Sequence, residues 1–119
     1  MEVIKPRKTK DIDKMAEKVF LKGIELIGGL KRLMEYRNLT WLPSLAEASY
    51  VVVLRNEAMK TYSEISKELG ITEQTVKNIA NADEKEVERY LEGDSEIKSH
   101  IAGGIAKLAY RELKREGLI

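Results

Sequence analysis

The chain contains no cysteine, a single histidine (His100) and a single glutamine (Gln74) in 119 residues. Without cysteine there are no disulfides, no thiolate metal sites and no thiol nucleophile. One imidazole is too few for a zinc site, which normally takes three or four protein ligands. Neither a metal nor any other cofactor is therefore expected. Long apolar runs are also missing. The longest, residues 50–54 (YVVVL), falls far short of the ~20 residues that cross a bilayer, so no membrane partner is expected. The first residues carry Lys5, Arg7, Lys8 and Lys10 and lead into a charged segment, unlike a secretory leader. These absences predict a cytoplasmic protein. Scarce Gln beside abundant Lys and Glu is a bias common in thermophile proteins.

What is present suits one compact domain spanning residues 1–119: 43% of residues are hydrophobic and 34% charged. A chain of this length can bury roughly two-thirds of its unfolded surface without staples. The net charge of +1 hides an uneven distribution. Residues 1–10 hold four cations against one anion, and residues 97–119 hold five against two. Between them, residues 83–96 (DEKEVERYLEGDSE) hold seven anions against two cations. Such blocks are ordinarily solvated faces. Read functionally, they require a polyanion to approach the termini, because the acidic block repels it.

Apolar periodicity predicts helices throughout. Ile12, Met15, Val19, Phe20, Ile24, Ile27, Leu30 and Met34 step by threes and fours, with Thr9 or Asp11 placed to cap the start. Gly28-Gly29 predicts a break in this arm. Pro43 suits the first turn of a new helix, continued by Leu45, Ala48 and Val52. Residues 50–54 have strand composition, yet helical flanks and the lack of any partner strand favour helix. Thr61-Tyr62-Ser63-Glu64 fits a capping box for a helix carrying Ile65 and Leu69 and ending at Gly70. Thr72 caps the next, which buries Val76 and Ile79. Asp83 with Glu86 starts a short helix carrying Val87 and Leu91 to Gly93. Asp94 or Ser95 opens the last, with Ile97, Ile101, Ile105, Leu108 and Leu113 on one stripe. The fold class is all-α.

Residues 62–81 (YSEISKELGITEQTVKNIAN) carry the functional signal. A small residue, Ser66, stands where a second helix crosses; Gly70 permits the reversal; Ile71 plugs the corner; Val76 and Ile79 pack back. This is the spacing of a helix-turn-helix, whose second helix can lie in a DNA major groove. The outward residues are then Thr72, Glu73, Gln74, Thr75, Lys77 and Asn78. Gln74 and Asn78 suit adenine edges, Thr72 and Thr75 suit phosphates, and Lys77 suits a phosphate or guanine. Glu73 and the acidic block oppose DNA, since phosphate attraction supplies most non-specific affinity. A packing unit or protein-docking surface is the alternative.

The segment resembles the helix-turn-helix of response-regulator output domains and of sigma-factor region four. WLPSLAEASYVVVLRNE (41–57), the motif itself and KSHIAGGIAKLAYRELK (98–114) are similar to a small archaeal family of regulatory domains. Members of that family are associated with ATPases of the clock-protein (KaiC) type, and residues 1–40 have no counterpart in it. The resemblance implies regulation or signal transduction, and a RecA-like ATPase as a protein partner.

Catalysis finds little support. The carboxylates lie among Lys and Arg at helical spacing, no Gly-x-Ser-x-Gly elbow accompanies His100, and Gly28-Gly29-Leu30-Lys31 lacks the pattern of a phosphate loop. Gly103-Gly104 in the last helix calls for a close neighbour, from this chain or from a second copy in a homodimer. Trp41 beside Pro43 reads as a core or hinge anchor, or else as a base-stacking residue. The sequence thus predicts a non-enzymatic regulator with a helix-turn-helix (three-helix) core at 43–81, an N-terminal helical arm at 1–40 and two additional C-terminal helices within 83–119. Its function is transcription-associated DNA binding, with an ATPase-docking adaptor free of DNA contact as the alternative.

Overall fold

The computed structural model describes residues 4–35, 41–87 and 99–119, with side chains from residue 11 in the first stretch and residue 101 in the last. Six helices are described in full: α1 (Ile4–Leu26), α2 (Gly29–Leu33), α3 (Leu42–Asn56), α4 (Tyr62–Leu69), α5 (Glu73–Ala80) and α6 (Ser99–Arg115); residues 85–87 are helical too, with Val87 buried. Among the described residues there is no strand, and no helix is long and apolar enough to cross a membrane. The fold is all-α, a helix-turn-helix core with flanking helices. The expected Leu91, Gly93, Asp94, Ser95 and Ile97, and the side chain of His100, lie outside the described residues.

Helix α3 is the centre, packed against α1, α4, α5 and α6. Val51, Val52, Val53 and Leu54 are all buried, which resolves the conflict between strand composition and helical period. A helix enclosed by neighbours has no polar face to show. Pro43 sits in its first turn as expected. Ser49, buried with them, donates its hydroxyl to the Leu45 carbonyl at 2.8 Å, so no polar atom there is orphaned. Trp41 is buried just before α3 and acts as a core anchor, so the base-stacking alternative falls.

Two expectations for the N-terminal arm are corrected. Thr9 and Asp11 do not cap α1, because the helix already runs from Ile4. Pro6 lies in its first turn, where a missing N–H breaks no helical bond. The apolar stripe also ends earlier than its spacing implied. Ile12, Met15, Val19, Phe20, Ile24 and Ile27 pack inward, but Leu30 and Met34 are 73% and 84% exposed. Gly28 and Gly29, at φ of +121° and +81°, turn the chain between α1 and α2, so the phase of the stripe is not carried across.

Gly103 and Gly104 are explained within the chain. A Cβ on Gly103 would stand 3.0 Å from Ala82 Cβ and 3.3 Å from Ile79 Cα; one on Gly104 would stand 2.9 Å from Val87 Cγ2 and 3.0 Å from the Asp83 carbonyl oxygen. Both glycines are buried against the end of α5 and the turn that follows. A seam between two copies at this pair is therefore excluded: the space is already filled.

Gly104→Leu should destabilise the fold by roughly 1–3 kcal/mol through overpacking, while the mass in solution stays that of the parent. Denaturant unfolding with light scattering checks both halves; a changed mass would revive the seam.

Candidate nucleic-acid interface

The α4–α5 unit is built by local chemistry. The Glu64 amide donates to Thr61 Oγ1 at 3.1 Å and the Thr61 amide donates to Glu64 Oε1 at 2.8 Å, completing the expected capping box. The hydrogen bonds from Thr61 hold the Glu64 carboxyl below its ordinary pKa. α4 ends on Gly70 at φ 71°, ψ 30°, a left-handed residue with open space around its Cα. The amides of Gly70 and Ile71 both donate to the Ser66 carbonyl, at 2.9 and 3.2 Å. The Ser66 hydroxyl returns a hydrogen bond to the Ile71 carbonyl. Position 66 thus needs more than small size, since its side chain staples the turn. Ile65, Val76 and Ile79 are buried at the crossing.

Upstream, the α3–α4 connection is fixed by Arg55. Its guanidinium lies 4.5 Å from the Tyr62 ring centroid and donates to the Lys60 carbonyl at 3.0 Å. Glu57 accepts hydrogen bonds from the Tyr110 hydroxyl and from Lys114, the latter at 2.9 Å, and so ties the end of α3 to α6. The hydrogen bond from Tyr110, with Lys114 beside it, lowers the pKa of Glu57; burial and the same hydrogen bond raise that of Tyr110.

On α5, Thr72, Glu73, Gln74, Lys77 and Asn78 are exposed and Thr75 is half-buried. Gln74 and Asn78 share one face, and Gln74 Nε2 donates to Asn78 Oδ1 at 3.0 Å. The two amides form a preorganised pair. The threonines differ from expectation in what they already do. Thr72 Oγ1 accepts the Thr75 amide at 3.1 Å, and the two hydroxyls lie 2.8 Å apart. Both serve the helix cap, leaving only residual capacity for a phosphate. Asn81, the exposed C-cap of α5, stands seven residues after Gln74 and so falls near the Gln74–Asn78 face; it closes the 62–81 segment but was not counted among the outward residues.

Lys107 is the other residue that sequence reasoning missed. Its half-buried ammonium donates to the carbonyls of Ala80 and Ala82, at 3.0 and 2.8 Å. It thereby satisfies carbonyls that the end of α5 leaves open and places a positive charge at the negative helix end. A pattern search sees only a lysine on an amphipathic helix; its target lies 25 to 27 residues away.

The neighbouring charges are largely committed. Arg111 pairs with Glu84 at 2.7 Å, Lys114 with Glu57, and Arg115 with Glu112. Every described cation side chain of residues 101–119 is thus engaged within the chain. Among the described residues no cluster of three or more His, Asp and Glu could hold a metal ion.

Residues 46–82 match the family model of sigma-70, region 4. The match covers most of α3, all of α4 and α5, and the turn after them. The chain thus contains a helix-turn-helix related to sigma-factor region four, a binding module rather than a catalytic one. No curated protein and no solved structure matches the chain.

Two outcomes follow from this geometry. Lys107→Met should speed amide exchange in the last turn of α5 relative to α4 and cost about 1.5–3 kcal/mol, the range for charge-assisted hydrogen bonds; Lys107→Arg should recover part of this. Because the folded-state pKa of Glu57 is depressed, its contribution to stability is present above the ordinary carboxylate value of 4.5 and fades as pH falls through the depressed one. Glu57→Gln should accordingly flatten the acid limb of a stability-against-pH curve measured by denaturant unfolding.

Proposed function

We propose that this protein is a non-enzymatic, transcription-associated regulator that binds duplex DNA through α5 laid in the major groove, acting as a homodimer. The observation that carries the reading is the exposed face of α5. Gln74, Lys77 and Asn78 lie together on the second helix of a unit that matches sigma-70, region 4. Gln and Asn are the side chains whose amides can pair bidentately with the adenine edge. Their mutual hydrogen bond fixes their rotamers before DNA arrives, which lowers the ordering cost of recognition. Thr72 and Thr75 meet phosphates at the start of the helix, where the amide dipoles favour an anion.

Affinity for arbitrary sequences is expected to be modest. Glu73 and Lys77 cancel on the exposed face, and the described C-terminal cations are paired. Discrimination then rests on base contacts more than on phosphates. The same balance favours a second reading: a signal-transduction adaptor that docks on a RecA-like ATPase without touching DNA, to which the resemblance of residues 98–114 also points.

Selection from random duplex DNA separates the two, because an adaptor enriches no site. With a selected site in hand, Gln74→Ala and Asn78→Ala should each lose about 1–3 kcal/mol of discrimination against a scrambled duplex. Lys77→Ala should weaken both duplexes alike and lower the slope of log affinity against log salt by about one. Failure to enrich, or wild-type discrimination in both amide variants, overturns the groove model.

A further inference from the structure

A second surface lies on the side of the molecule built by α1 and α3. Ala16 and Phe20 of α1 face Ala46 and Tyr50 of α3 across an open apolar groove of about 340 Å³, with Glu17 and Leu21 on its rim. Leu21 is 63% exposed, an unusual position for a large apolar side chain. Among the described elements α1 packs on α2, α3 and α6 but not on α4 or α5. An occupant of this groove leaves the exposed face of α5 free.

None of the described lysines of α1 lines the groove. Lys14 and Lys18 turn away from the groove and line the opposite cleft with Leu118. Lys18 donates to the Leu118 carbonyl at 3.0 Å, and Lys22 pairs with Glu25 at 2.8 Å and Glu116 at 3.3 Å. Of the acids on α1, Asp13 and Glu17 take the groove side, whereas Asp11 lines the cleft with Lys14 and Lys18. Asp13 Oδ1 accepts the Tyr50 hydroxyl at 2.8 Å, and Glu17 lines the groove itself. The Tyr50 hydroxyl registers these acids: its hydrogen bond to Asp13, burial, and the charges of Asp13 and Glu17 all raise its pKa. An acidic rim repels nucleic acid and anionic lipid alike. A second copy of this groove would bring acid against acid.

We infer that the α1–α3 groove docks a basic amphipathic helix of a protein partner, its Leu or Phe anchors resting over Phe20, Ala46 and Tyr50 and its Lys or Arg side chains beside Asp13 and Glu17. A third helix laid between two packed helices buries its apolar stripe by the same ridge-and-groove geometry that joins the first two. The opposite charges speed encounter and set the orientation of the incoming helix.

The test uses the full chain, isotopically labelled, titrated with a synthetic leucine–lysine amphipathic helix and with its leucine–glutamate counterpart bearing the same apolar face. Amide shifts for the lysine peptide should map to α1 and α3 around the groove, and the glutamate peptide should leave them unmoved. Glu17→Lys and Ala46→Arg, both at exposed positions, should each weaken the lysine peptide roughly tenfold while circular dichroism stays that of the parent. Equal response to both peptides, shifts centred elsewhere, or affinity unchanged in both variants overturns the assignment. Self-association through the groove, read as a mass that rises with concentration and groove shifts that vanish on dilution, would give the site to a second copy and overturn it too. No DNA enters this titration, so its failure and that of the groove-reading role of α5 are separate results.

Discussion

The close approach of α6 to the end of α5 is the contact on which the arrangement depends. Gly103 and Gly104 let the α6 backbone reach Ile79, Ala82 and Asp83 at distances that leave little room for a Cβ. Two glycines inside a helix cost roughly 1–2 kcal/mol together, and the packing they allow offsets that loss. Lys107, one turn further along, then finds the carbonyls of Ala80 and Ala82 within reach. A helix of eight residues such as α5 is marginal by itself. Held at its start by Thr72 and at its end by α6, it becomes a rigid platform for the exposed amides.

The remaining contacts transmit that order to the rest of the molecule. α3, whose stretch from Val51 to Leu54 is wholly buried, serves as the common partner of α1, α4, α5 and α6. Glu57, at its end, joins Tyr110 and Lys114 of α6, so the connection that leads into α4 is anchored to the same helix that clamps α5. The two surfaces of the molecule are consequently distinct in chemistry. One presents a neutral, amide-rich helix, and the other an apolar groove with acids on its rim.

Much of the fold was legible in local signals. The capping box at Thr61 and Glu64, the left-handed Gly70 and the cap at Thr72 are short-range devices, each fixed by a few neighbouring residues. So was the break at Gly28-Gly29. What escaped was phase and range. The stripe through Leu30 and Met34 looked continuous because periodicity ignores a change of direction between helices. The start of α1 was misplaced because cap residues inside a helix look the same as cap residues before one.

The sequence by itself determined the helices, the turn between α4 and α5, and the identity of the side chains that α5 offers, since these follow from periods of three and four and from residue-specific backbone preferences. It also demanded a close neighbour for Gly103 and Gly104 without being able to name it. Only the tertiary structure decided that the neighbour is the end of α5, that Lys107 closes that helix, and that the cations of α6 are already paired. These are meetings of residues far apart in the chain, and no local propensity encodes which distant partner packing will bring into contact.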